Sequence, residues 1–182
     1  MEKRKRDPVV PEMRKRLLAN REGRLMTGQW LDLIVQPLVI LGLLTAAAFV
    51  VFGDDMVALL ADIWWIVLPL IALFILLPVT TRAYRYARTP IHFARLRAGV
   101  QPWWGVWKPL VFYTETDEPV IFRRRLAPRP LLKIDGEYLV YFLDEPQGKV
   151  LLSAAPSDHP DAELWTPTRS FSVRHERRGG QS

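Results

Sequence analysis

Cysteine is absent from the 182-residue chain, which excludes disulfides, thiolate metal sites and a cysteine nucleophile. Histidine is scarce. His92, His159 and His175 stand in three different contexts, none at metal-ligand spacing. There is no glycine-rich phosphate loop, no G-x-S-x-G elbow and no H-E-x-x-H helix. The carboxylates Asp117/Glu118 and Asp144/Glu145 fall at turn-prone positions, where acids are ordinary. No residue set points to catalysis, a metal or a cofactor, so the chain reads as non-enzymatic.

Charge is missing from two long runs. Residues 33–52 and 63–81 contain no Asp, Glu, Lys or Arg. Each is about 20 residues long, the length of helix that crosses a hydrocarbon core of ~30 Å. Trp30 sits just before the first run, Trp64 and Trp65 lie near one end of the second, and Tyr84 and Tyr86 follow it, as in interfacial aromatic belts. Pro37, Pro69 and Pro78 interrupt soluble helices but are tolerated in membrane helices. Residues 53–62, with Asp54, Asp55 and Asp62, are too few for a domain. The expectation is an antiparallel transmembrane hairpin over 30–82, with helices near 31–52 and 60–82. All 25 Lys and Arg lie outside 33–81, nine before and sixteen after. The positive-inside rule then places both termini in the cytoplasm, as a multi-pass protein of a bacterial inner membrane. The same rule accounts for the net charge of +6 without invoking nucleic acid.

Before the hairpin, residues 1–29 form a basic cytoplasmic segment. Pro11 is placed to open a short amphipathic helix running to about Met26, with Met13, Leu17 and Leu18 on one side. That helix either lies in the headgroup plane or docks on the protein's own domain or a partner. After the hairpin, 83–102 reads as an interfacial helix and linker. Thr89-Pro90 looks like a helix cap and Gly99 like a stop, so 91–98 is expected to be helical. His92 within it reads as a surface or interface residue. From Val106 the pattern shifts to short β-runs, giving a cytoplasmic β domain over 103–175. Strands are expected at 107–115, 119–126, 131–134, 137–143, 149–154 and 164–173. Asp135-Gly136 marks a hairpin turn. Five or six such strands close best as a small antiparallel barrel or curled sheet. Residues 176–182 read as a disordered tail. The fold class is thus a membrane α+β protein: a transmembrane hairpin followed by a small β domain. In layout this resembles bacterial membrane proteins with pleckstrin-homology-like domains, although no motif carries the likeness.

Two basic clusters and a tryptophan pair are the candidate sites. Arg82, Arg85 and Arg88 are three apart and stack on one helix face. Arg123, Arg124 and Arg125 form the densest charge run of the β domain, with Arg123 and Arg125 expected on one side of a strand and Arg124 on the other. Trp103 or Trp104 is expected to pack under the domain near the membrane, with Trp107 in the sheet, and both Trp103 and Trp104 are candidates for lipid or partner binding. The implied partners are anionic lipid headgroups and a protein partner or second copy; the absence of a recognised motif argues against nucleic acid. The functional expectation is an accessory or scaffold subunit of a membrane complex. The alternative is a transport or channel subunit built from hairpin oligomers, and a membrane-proximal enzyme ranks behind both.

Overall fold

The computed structural model describes residues 7–99, 109–128, 130 and 132–179. Its elements in chain order are α1 (Pro11–Asn20), α2 (Thr27–Arg88), β1 (Ile91–Ala98), β2 (Leu110–Tyr113), β3 (Pro119–Arg125), β4 (Glu137–Leu143), β5 (Lys149–Pro156), a 3₁₀ turn (Ala162–Trp165) and α3 (Arg169–Gly179). They form two compact units, Met1–Gln29 with Arg88–Ser182, and Trp30–Ala87.

The first unit is built on a closed barrel with strand order β1-β2-β3-β5-β4. Four of its contacts are antiparallel and one, β3 to β5, is parallel. Leu96, Ala98, Phe112, Phe122, Tyr138, Val140, Phe142, Leu151 and Ala154 fill the interior. Phe112 packs edge-on to Phe122 at 5.4 Å and to Tyr138 at 6.2 Å. Each such buried aromatic contributes about 2–3 kcal/mol of transfer free energy. β4 and β5 are buried on both faces, which is why they read as nearly unbroken apolar runs.

The outer faces are covered by helices. α1 starts with Pro11 at its first helical position, where the missing N–H costs nothing. It stops at Asn20, short of Met26, and Gly23 turns the chain with φ +73°. Met13, Leu17 and Asn20 are buried, and α1 packs on β5. Asn20 Nδ2 donates to Ser153 Oγ at 2.8 Å, Gln29 Nε2 donates to the Leu152 carbonyl at 3.0 Å, and the Arg16 guanidinium reaches the Leu126 carbonyl. α1 therefore docks on the protein's own domain. On the same outer face, where Tyr141 pairs with Ser153, Tyr141 donates its hydroxyl proton to the Trp165 carbonyl at 2.6 Å and its ring meets Phe171 of α3. Burial raises the Tyr141 pKa well above the ordinary phenol value, with a small opposing pull from Arg21. The hydroxyl is thus a proton donor at all physiological pH.

The structure departs from several expectations. Residues 91–98 are a strand, not a helix. Leu96 and Ala98 point inward while Arg95 and Arg97 stay exposed, and pairing with β4 from Ile91↔Leu143 to Arg97↔Glu137 outweighs the local Thr89-Pro90 cap signal. Asp135-Gly136 does not join two strands. Asp135, at φ 59°, and Gly136 close a tight turn back to Lys133 just before β4. Residues 164–173 are not a strand: Pro167 ends the 3₁₀ segment and α3 begins at Arg169. The tail expected over 176–182 is helical as far as Gly179.

The largest correction concerns the second unit. The expected transmembrane hairpin is replaced by one continuous 62-residue helix, α2. The supposed joint, Gly53-Asp54-Asp55, is helical throughout. A single glycine costs a helix interior only ~1 kcal/mol, and the Met56–Ala61 stretch that follows is made mostly of strong helix formers, so nothing there enforces a reversal. Near the C-terminal end, the Thr80 and Thr81 hydroxyls donate to the Leu77 and Pro78 carbonyls one turn back, at 3.0 and 3.1 Å. Among the described residues, no helix is long and apolar enough to cross a membrane. The multi-pass, inner-membrane placement, the anchoring and channel roles drawn from it, and the topology with both termini cytoplasmic therefore fall with the hairpin. Among the described side chains of α2, several large apolar ones are exposed: Leu43 is 67 % exposed, Val50 86 % and Trp65 63 %.

Candidate anion-binding groove

The site is assembled where β3 meets the β4–β5 turn. The register between β3 and β5 shifts between Phe122 and Arg124, so Arg123 is an extra residue without a ladder partner. A bulge of this kind re-aims side chains. Strict alternation would send Arg123 and Arg124 to opposite faces, yet both are exposed and both line one open groove of about 400 Å³. Among the described residues, Glu145, Gln147 and Gly148 also line it.

The turn between β4 and β5 is shaped for this. The Gly148 N–H donates to the Glu145 carbonyl at 2.9 Å, and Gly148 has φ +123°, which favours glycine. A Cβ at position 148 would sit 3.0 Å from Arg123 Cδ, so the bare backbone also makes room for the Arg123 stem. Arg123 Nη1 makes a long contact of 3.5 Å to the Gln147 carbonyl. Beside the groove, Lys149 is held by Asp144 at 2.7 Å and lies over the Phe142 ring.

Glu145 is the unusual member. It is 7 % exposed, and its Oε1 atom is buried with no hydrogen-bond partner. Leaving a polar atom of this kind unsatisfied costs ~1–3 kcal/mol, more when it is charged. Among the described residues, no ion pair joins it to Arg123 or Arg124. Chemically, the five lining residues offer two permanent cations, one carboxylate and an amide. Such an arrangement can bind an anionic group.

Of the residues singled out from sequence, the structure brings Arg123 and Arg124 together. Arg125 is half-buried and pairs with Leu151 in the ladder. Arg82, Arg85 and Arg88 occupy successive turns at the C-terminal end of α2, where cations complement the helix dipole. Trp103 and Trp104 lie outside the described residues. Sequence reasoning passed over Glu145, Gln147 and Gly148 as an ordinary turn. It also separated His92 from His175, whose rings meet edge-on at 4.9 Å, with His92 stacked on Phe142 at 5.4 Å. Burial holds the His92 pKa below its ordinary value; His175 and Lys149 push the same way and Asp144 opposes. His159 is structural. Its Nδ1 accepts the Asp161 N–H at 3.0 Å, which leaves Nε2 to meet Asp7 at 3.3 Å. Among the described residues, no group of three or more His, Asp or Glu side chains could hold a metal ion. No known protein family, curated protein or solved structure matches the chain.

Proposed function

We propose that the chain is a non-catalytic binding protein whose barrel groove takes an anionic group carried by a ligand or partner. The observation that supports this is the β3 bulge, which aims two adjacent guanidiniums into one groove. Paired guanidiniums suit the planar, bidentate recognition of phosphate or carboxylate. Titration of the full chain with inorganic phosphate, followed by Arg side-chain NMR signals, tests it. Saturable shifts that vanish in Arg123→Ala/Arg124→Ala support the reading, and unchanged spectra overturn it.

The apolar surface of α2 supports a second element. Ile66, Leu70, Leu73 and Leu77 are all exposed and recur at alternating steps of four and three residues, the spacing of a helix–helix seam. α2 is therefore assigned to association with a protein partner or a second copy of the chain. Crosslinking and sedimentation of the full chain against a Leu70→Glu/Leu73→Glu variant test this. A complex lost in the variant supports it, and a monomer in both overturns it.

A further inference from the structure

The groove holds both signs of charge and keeps them apart. Arg123 and Arg124 line it together with Glu145, yet no ion pair among the described residues joins the carboxylate to either guanidinium. Arg124 makes no side-chain hydrogen bond or ion pair among the described residues, and the 3.5 Å contact of Arg123 is at the outer limit of a hydrogen bond. Glu145 is more than nine-tenths buried, and its Oε1 atom has no donor. Buried polar atoms are nearly always satisfied in folded proteins, so an exception beside an open groove points to a donor that arrives from outside.

The charges define that donor's carrier. A bare metal cation would face two guanidiniums. A simple anion would satisfy the arginines, but it would leave Oε1 without a proton donor and set like charge against it. Lys149 is already held by Asp144 at 2.7 Å, so among the described residues the groove brings together two guanidiniums and one carboxyl group. A phosphate monoester, close to doubly ionised at neutral pH, with one protonated amine matches that balance. A phosphodiester with the same amine falls one charge short. The volume of about 400 Å³ admits a small organic molecule.

Building on the anion-binding reading, we propose that this groove is a site for a compact zwitterion: a phosphate monoester bearing a primary ammonium. Its phosphate sits on Arg123 and Arg124, and its ammonium donates to Glu145. The same amine-bearing phosphate chemistry occurs free, as the monoester, and in lipid headgroups, as the diester. The charge balance selects the free monoester.

Isothermal titration of the full chain, with α2 shielded by a mild detergent, decides it using four probes: O-phosphoethanolamine, inorganic phosphate, phosphocholine and glycerophosphoethanolamine. The expected result is phosphoethanolamine binding at least tenfold tighter than phosphate and phosphocholine, whose quaternary nitrogen has no N–H to donate. Glycerophosphoethanolamine, the soluble diester, should bind more weakly than the monoester. Glu145→Gln should abolish the preference for phosphoethanolamine over phosphate, because a neutral amide does not pair with the ammonium. Equal affinity for phosphate and phosphoethanolamine would overturn the zwitterion proposal and leave the anion reading standing. Tighter binding of the diester would overturn the monoester assignment. No binding of any probe would overturn both readings. The comparison of phosphoethanolamine with phosphocholine needs no variant, so it holds even if Glu145→Gln fails to fold.

Discussion

Leu17 is the most direct probe of how α1 is held. It is fully buried, at 0 % exposure, on the face that packs on β5. Truncation to alanine removes its methyl groups and leaves a cavity between a helix and a barrel strand that cannot readily close. Leu→Ala changes at such sites cost ~2.7–5 kcal/mol. For a unit of this size, each kcal/mol moves the midpoint by roughly 3–5 °C, so Leu17→Ala should lower Tm by about 10 °C or more. Near-ultraviolet circular dichroism follows the loss of packed rings such as Tyr141 and Trp165. The neighbouring Asn20–Ser153 hydrogen bond gives an internal check. Ser153→Ala strips the buried Asn20 amide of its acceptor, and a double-mutant cycle with Asn20→Ala should return a coupling of ~1 kcal/mol. Had α1 been a surface helix lying in headgroups, Leu17→Ala would be nearly neutral. A midpoint shift under about 2 °C would refute the docking of α1.

Three further outcomes are expected. Because the fold holds the His92 pKa below its ordinary 6.5, the unfolded chain binds that proton more readily. The stability tied to neutral His92 is complete above pH ~6.5 and is lost as pH falls toward the lowered value, and His92→Gln should flatten that slope in chemical denaturation between pH 7 and 5. Tyr141→Phe leaves the Trp165 carbonyl without its donor, so urea denaturation should show a loss of ~1 kcal/mol with an unchanged m-value. Gly148→Ala forces a side chain into φ +123° and against Arg123 Cδ; it should destabilise the barrel by ~1 kcal/mol or more and weaken phosphate binding by displacing Arg123.

The parts of the fold legible in the sequence were those whose signal is local. β4 and β5 are apolar runs bounded by Asp135-Gly136 and Pro146-Gln147-Gly148, and Pro11 marks the start of α1. β1 was hidden because Thr89-Pro90 imitates a helix cap, and only its partner strand, more than forty residues later, decides otherwise. α3 was hidden because Pro167 looks the same breaking a strand as preceding a helix. The charge-free runs of α2 were visible, but Gly53 costs a helix only ~1 kcal/mol, so the local pattern does not decide whether Gly53-Asp54-Asp55 turns the chain or continues the helix. In the groove, the density of arginine was legible. The bulge that aims Arg123 and Arg124 together was not, because it depends on the register with β5. Glu145 resembled any turn acid, since burial is a property of the assembled barrel.

The continuity of α2 is the claim on which the departure from a hairpin rests, and the cysteine-free sequence makes it simple to measure. Nitroxides introduced at Leu43→Cys and Leu73→Cys, both exposed sites, can be read by double electron–electron resonance. An unbroken helix places those backbones about 45 Å apart, from thirty residues at a rise of 1.5 Å, less a modest bend at Pro69. An antiparallel hairpin would bring the same positions side by side, at about 10 Å between helix axes. A distance distribution centred near 45 Å is the predicted result, and one centred below about 20 Å would contradict it.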